Sequence, residues 1–169
     1  SVFAGQTERI ADDHDPVFAT KIAVEYDGKT DRQIVRDLMR KEGHGDAHID
    51  ERMERLLECY VSGLRRELAQ GERRARRLEG GAELLDELEQ RDDVVLGLLT
   101  GNLAEGAAMK LESAGIDPAR FRVSAFGSDH ELRPELPAIA QRRAQELLGM
   151  DIRGERVVVI GDTPADIEC

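Results

Sequence analysis

Apolar residues recur at helical spacing through the first clearly patterned part of the chain. One helix is predicted to begin at Thr30 or Asp31, because either side chain can cap free N–H groups, and to end at Gly43. A second helix is predicted over about residues 48–71. Its apolar face comprises Met53, Leu56, Leu57, Tyr60, Val61 and Leu64. No strand pattern separates the two, so the sequence predicts a helical hairpin.

After Gly80 and Gly81 the pattern changes to alternating helices and strands. The apolar runs at residues 94–99 and 157–160 are continuous, which is typical of parallel strands covered on both faces. Between and before them the pattern predicts helices at residues 82–90 and 134–148, a helix ending at residue 114, and a short segment at residues 121–123. The alternation predicts an α/β fold with a doubly wound parallel sheet. The predicted divisions are an N-terminal segment of uncertain structure (1–26), a helical segment (27–79) and an α/β part (80–169).

The charge of the chain limits its partners. A net charge of −11 disfavours nucleic acid and anionic membranes. The basic stretch at residues 73–77 is interpreted first as a solvated helix end, and second as a site that attracts an anionic substrate. The cysteines, Cys59 and Cys169, lack metal-ligand spacing, and Cys59 lies in an apolar pattern that predicts a buried thiol. Neither a membrane-spanning run nor a signal peptide is found, so a cytoplasmic location is expected.

The first predicted strand ends in a polar loop, and ligands of open parallel sheets collect at that edge. Thr100, Gly101 and Asn102 offer a hydroxyl and several backbone N–H groups to an anion. The alternative interpretation is that Thr100 or Asn102 only caps the next helix.

The second such loop, at residues 161–166, carries two carboxylates. Gly161 permits close approach of the backbone to a ligand, and Asp162 and Asp166 lie one helical turn apart. Two carboxylates so placed suit a hard divalent cation that keeps several waters, as magnesium does. The alternative is that Asp162 caps a helix with Pro164 in its first turn.

One basic residue stands between the two loops. Arg133 precedes Pro134 at the start of a predicted helix, and its guanidinium group suits the geometry of phosphate. A single arginine in this position is otherwise simply solvated.

The order and spacing of these features resemble the second, third and fourth motifs of the haloacid-dehalogenase-like (HAD) hydrolases. The resemblance implies that Thr100, with Gly101 and Asn102, binds the transferring phosphoryl group, and that Arg133 stabilises its charge where most relatives have lysine. It further implies that Asp162, assisted by Asp166, holds Mg²⁺.

Within that family, the chain looks most similar to phosphoglycolate-phosphatase-type members with an α-helical cap. Residues 27–31, the helical hairpin and the pairs Gly80-Gly81 and Gly101-Asn102 carry this likeness, which runs from about Asp27 to the last residue. It implies a HAD-like Rossmannoid parallel sheet with an inserted helical cap.

The family's first motif, a strand ending in Asp-x-Asp-Gly-Thr, supplies a nucleophile and a general acid–base. This motif is not found. Residues 12–15 are acidic but follow no apolar strand, and residues 22–30 only imitate the motif, with Glu25 and Asp27 in the two acidic places and Lys29 interrupting the turn. The chain is therefore expected to be an inactive fragment with an incomplete sheet.

The resemblance implies that the full-length protein is a magnesium-dependent phosphatase that acts on a small phosphorylated metabolite through an aspartyl-phosphate. Two alternatives stay open: a hydrolase of the haloacid dehalogenase type, and a non-catalytic protein that binds phosphate or a partner. Asp162 together with Asp166 favours the phosphatase, since dehalogenation needs no magnesium. The sequence does not indicate an oligomeric state.

Overall fold

The computed structural model describes residues 26, 28–70, 75 and 77–161. These residues form the helices α1 (Asp31–Lys41), α2 (Asp46–Gln70), α3 (Gly81–Glu89), α4 (Ala104–Ser113) and α5 (Leu136–Leu148), and the strands β1 (Gly97–Thr100) and β2 (Val123–Phe126). Short 3₁₀ turns lie at Pro118–Arg120, Arg133–Glu135 and Gly154–Arg156. The strands are parallel, so the predicted α/β fold class is confirmed.

Helix α1 begins where its capping residues predict. The Thr30 hydroxyl accepts a hydrogen bond from the backbone N–H of Gln33 at 3.2 Å, and the Gln33 side chain accepts one from the Thr30 N–H at 3.1 Å. This reciprocal pair satisfies two N–H groups that a helix start leaves without partners. The helix ends at Lys41, two residues before Gly43, whose φ of 85° reverses the chain.

Helix α2 packs against both α1 and α4, and its buried stripe forms much of the core. The buried residues of α2 are Ile49, Met53, Leu57, Val61 and Leu64. Leu103, just before α4, belongs to the same cluster, so the hairpin packs against the part of the chain that carries the sheet. The predicted helical hairpin is confirmed, while the domain boundaries stay a prediction.

The sheet places residue 100 at its carboxyl edge. Strand β1 pairs with β2 from Gly97 opposite Val123 to Thr100 opposite Phe126, and α5 packs on both strands. The apolar run at residues 94–99 therefore yields a strand that starts later than predicted and extends to Thr100.

The strand predicted at residues 157–160 is wrong for this structure. The residues follow the turn Gly154–Arg156 without entering a ladder among the described residues, and Val158 and Ile160 are 79% and 72% exposed. A strand requires a neighbour that exchanges backbone hydrogen bonds with it. In the described part of the chain, β1 and β2 pair only with each other.

The predicted burial of the Cys59 thiol is also wrong. Cys59 is exposed, because it lies off the stripe that runs through Leu57 and Val61. Leu84 of α3 is exposed as well, since this short helix has no fully buried residue. Among the described residues, no helix is both long enough and apolar enough to cross a membrane.

Candidate functional site

The loop after β1 approaches the backbone of neighbouring segments so closely that only glycine fits. A Cβ atom on Gly101 would collide with the Lys29 carbonyl oxygen and lie 2.9 Å from the Thr30 Cα. A Cβ on Gly127, which follows β2, would collide with the Gly101 carbonyl oxygen and lie 3.1 Å from the Thr30 Cβ. The two loops at the carboxyl edge of the sheet thus pack directly on the start of α1.

Backbone hydrogen bonds fix the same loop to α1. The Asp31 N–H donates to the Gly101 carbonyl at 2.8 Å, and the buried Asp31 carboxylate accepts from the Leu103 N–H at 2.8 Å. The Gly127 N–H donates to the Asn102 carbonyl at 2.8 Å. Burial raises the pKa of Asp31, whereas the charge of Lys110 and the Leu103 N–H lower it.

The Thr100 hydroxyl is oriented by Asn102. It accepts a hydrogen bond from the Asn102 backbone N–H at 3.2 Å and one from the Asn102 Nδ2 at 2.6 Å. A hydroxyl has two acceptor positions and one hydrogen, so these bonds occupy both acceptors and leave the hydrogen to donate. Helix α4 begins at Ala104 with Leu103 as its N-cap and without a capping bond from that side chain. The alternative interpretation, in which Thr100 or Asn102 caps the helix, therefore fails.

The orientation of Asn102 depends in turn on Lys110. The Lys110 Nζ donates to the Asn102 Oδ1 at 2.6 Å, and lies 3.3 Å from the hydroxyl of Tyr60. Burial lowers the pKa of Lys110 to about 8, although the Asp31 carboxylate acts to raise it. The pKa of Tyr60 is raised, chiefly by burial, so the phenol stays protonated.

The segment that carries Arg133 is anchored on the same helix start. The Thr30 hydroxyl donates to the Glu131 carbonyl oxygen at 2.5 Å. Arg36 of α1 forms a bidentate ion pair with the Glu131 carboxylate, at 2.5 Å and 2.9 Å. Arg133 follows two residues later, half-buried, as the first residue of its 3₁₀ turn. The first turns of α1 therefore contact both the loop of Thr100 and the segment leading to Arg133.

A cleft of about 340 Å³ opens beside these loops, between α2 and the start of α4. Its apolar wall includes Leu57, Val61 and Leu103, and Ser128, which follows β2, also lines it. Arg32 and Arg65 stand at the cleft, paired with Glu54 and Glu105 respectively. The volume is in the range of small-molecule sites.

The predicted metal ligands, Asp162 and Asp166, lie outside the described residues, as do Glu25 and Asp27. Their predicted convergence with Thr100 and Arg133 therefore stays a prediction. Within the described ranges, no group of three or more His, Cys, Asp or Glu side chains is placed to hold a metal ion. The donor set of Asp162 and Asp166 consists of hard carboxylate oxygens, whose chemistry fits Mg²⁺.

Sequence reasoning missed Lys110, and read Asp31 only as a cap of α1. The signal for Lys110 is its position, since residues 103, 107 and 110 share one face of α4 and the first two are buried. A lysine on the buried face of a helix indicates a partner for its charge. Asp31 gave no comparable signal, because its contact with Leu103 spans 72 residues of sequence.

Comparison with known proteins agrees with this architecture. The sequence model of the haloacid dehalogenase-like hydrolases matches residues 10–169, so the match begins before Asp27, the start of the resemblance predicted from the motifs. No curated protein matches the chain. Because the family match spans nearly all of the sequence, the chain belongs to the haloacid dehalogenase-like hydrolases.

Proposed function

We propose that this hydrolase is a magnesium-dependent phosphatase of small phosphorylated metabolites, of the phosphoglycolate-phosphatase-like type, acting through an aspartyl-phosphate. The observation that carries the proposal is the Thr100 hydroxyl. It stands at the carboxyl end of β1 with both acceptor positions filled by Asn102, so it presents a hydrogen-bond donor to an anion.

The described residues would act on the phosphoryl group by binding and neutralising it. Thr100 donates a hydrogen bond to one phosphoryl oxygen, and Gly101 lets the loop approach closely. Asn102 orients Thr100, and the guanidinium of Arg133 offsets the negative charge that phosphoryl transfer spreads over the oxygens. The cleft next to Leu103 accommodates the organic part of a small substrate.

HAD-family hydrolases generally use Mg²⁺, and Asp162 with Asp166 are the residues that would hold it. The bound cation supplies further neutralisation of phosphoryl charge. Carboxylates repel an anionic substrate, and a cation bound by them would offset that repulsion.

Binding of inorganic phosphate tests the proposal without requiring turnover. Isothermal titration in the presence of Mg²⁺ is expected to show phosphate binding, and Thr100→Val to weaken it about tenfold, because one hydrogen bond to a charged group is lost. Thr100→Ser keeps the hydroxyl and should bind within about twofold of the wild type. Equal affinity in Thr100→Val and the wild type would contradict the assignment of Thr100.

Arg133 is tested in the same way. Arg133→Leu should weaken phosphate binding by about tenfold or more, since a charge-assisted contact is removed. The matched control is Arg153→Leu, which removes the same charge from a side chain that is 75% exposed and paired with Asp151. If both variants lose affinity equally, the effect is one of net charge, and Arg133 has no specific role.

Turnover requires an attacking carboxylate, and the first motif is not found in this sequence. Hydrolysis of an aryl phosphate with Mg²⁺ is therefore assayed separately from phosphate binding, in the wild type, Glu25→Gln and Asp27→Asn. Hydrolysis by the 169-residue chain that is lost in Glu25→Gln or Asp27→Asn would identify the imitation motif as functional. Halide release from a 2-haloacid without magnesium would instead favour a dehalogenase.

A further inference from the structure

A directional chain of hydrogen bonds runs from Lys110 to the Thr100 hydroxyl. An ammonium group only donates, so the Asn102 side-chain atom 2.6 Å from the Lys110 Nζ must be the carbonyl oxygen. The other end of that amide is then the NH₂ group, and it faces the Thr100 oxygen at 2.6 Å. Thr100 can only accept from it, and its own hydrogen must point elsewhere. The charge on Lys110 thus decides the direction in which Thr100 donates.

The ammonium lies at the junction of the hairpin and the sheet-bearing part of the chain. Lys110 is only 8% exposed, and the described residues that act on it include members of three segments. Asn102 belongs to the loop after β1, Tyr60 to α2, and the buried carboxylate of Asp31 to α1. The Nζ also lies 6.0 Å from the centre of the Tyr60 ring.

Burying the charged lysine side chain at this junction costs free energy that only favourable interactions of the ammonium group can offset. Removing an ammonium group from water disfavours its charged form, and the Asp31 carboxylate offsets this only in part, as the lowered pKa of Lys110 shows. An apolar residue would extend the stripe of Leu103 and Ala107 without that cost. The position therefore favours a role for the charge in the neighbouring loop.

We propose that Lys110 is a positioning residue for anion binding: through Asn102 it turns the Thr100 hydroxyl hydrogen toward the bound phosphoryl group, and Asp31 and Tyr60 of the hairpin hold the ammonium in place. The inference rests on the proposed phosphate-binding role of Thr100. It makes the hairpin part of the phosphate site, since two of the groups that hold Lys110 belong to it.

A double-mutant cycle in phosphate affinity separates this role from a merely structural one. Lys110→Met should weaken phosphate binding about fivefold when Thr100 is present, because the hydroxyl hydrogen is no longer fixed. In the Thr100→Val background, the same substitution should have no further effect. A loop that simply collapses without Lys110 would lose affinity in both backgrounds, and that result would overturn the proposal. Lys110→Leu, which likewise has no group that can donate to the Asn102 Oδ1, replaces Lys110→Met if the latter does not fold.

The pH dependence of binding gives a second signature. As the pH rises through about 8, Lys110 loses its proton and can accept as well as donate, so phosphate affinity of the wild type should fall. Lys110→Arg keeps a charged group that only donates, and its affinity should not fall over the same interval. Within the described part of the chain, the titratable groups that face Lys110 include Asp31, from α1, and Tyr60, whose protonated form is stabilised by burial and by the charges of Asp31 and Glu67. An equal decline in both proteins would contradict the role of Lys110.

The link from Lys110 to Asn102 can be measured without any ligand. The Asn102 side-chain NH₂ resonances should shift with a midpoint near pH 8 in the wild type and remain unchanged in Lys110→Met. If the wild type shows this shift but binds no phosphate, the proposed function is wrong and the hydrogen-bond chain is supported. If phosphate binds and the Asn102 resonances do not shift as Lys110 loses its proton, the positioning inference is wrong and the proposed function is unaffected.

Discussion

Residues 94–100 and residues 157–161 are similar stretches that have different structures. Each is a continuous apolar run that leads into a loop containing glycine. The first becomes strand β1, paired with β2 and covered by α5. The second is unpaired within the described part of the chain, and Val158 is 79% exposed.

The difference shows that the surroundings, and not the run itself, make a strand. Strand β1 has β2 in register beside it, and its terminal loop is held by the first residues of α1. Residues 157–160 have neither kind of support among the described residues. Apolar patterning indicates that a segment is suited to burial. Whether the segment is buried as a strand depends on backbone hydrogen-bond partners and on a layer that covers it.

The largest expected effect comes from breaking the contact between the two loops at the edge of the sheet. Gly127→Ala places a Cβ against the backbone of Gly101, where no flexible side chain can move aside. We expect the free energy of unfolding to fall by about 3 kcal/mol, measured by chemical denaturation.

Gly63→Ala is the matched control for this substitution. Gly63 lies inside α2, and its added Cβ would have no neighbour within 4 Å. Alanine is the better helix former, so a gain of about 0.5–1 kcal/mol is expected. A loss for Gly127→Ala no larger than the change for Gly63→Ala would mean that the two loops are not packed as described.

The helices could be predicted from the sequence because the information for them is local. The capping residue Thr30, the periodic stripe of α2 and the proline before α5 each act within a few residues, and all three elements form where predicted. Strands depend on residues far along the chain, and for this reason the strand predicted at residues 157–160 is wrong.

The candidate site likewise combines residues that the local sequence predicts with contacts that it does not. Thr100 could be found because it ends an apolar run at the edge where ligands bind. The contacts that orient the site could not, because Thr30 reaches Glu131 across 101 residues and Asp31 reaches Leu103 across 72. Lys110 carried a local signal, but the identity of its partners depends on how α2 packs on α4.

The next effect, in order of size, concerns the start of α1. Thr30 is fully buried, and its hydroxyl both caps the helix and donates to the Glu131 carbonyl. Thr30→Val keeps the shape and removes both bonds, so we expect a loss of about 2 kcal/mol in unfolding free energy.

Thr30→Ser tests whether the hydroxyl is the cause. It keeps both hydrogen bonds and should recover more than half of the lost stability. The amide resonances of residues 131–133 should move in Thr30→Val and stay close to wild type in Thr30→Ser, because Thr30 anchors that segment. If the two variants are equally destabilised, the methyl group contributes as much to stability as the two hydrogen bonds of the hydroxyl.

The smallest expected effect comes from making one substitution in two segments, strand β2 and residues 157–160. Val123 of β2 is 7% exposed, whereas Val158 is 79% exposed. Valine and threonine have nearly the same shape, so Val→Thr mainly changes a methyl group into a hydroxyl. At position 123 the hydroxyl loses water on burial, and we expect the unfolding free energy to fall by about 1–2 kcal/mol. At position 158 the hydroxyl stays hydrated, and we expect a change within about 0.5 kcal/mol.

Both changes are measured by chemical denaturation under the same conditions. A loss at Val158 as large as that at Val123 would show that residues 157–160 are buried in solution and would remove the contrast between the two segments.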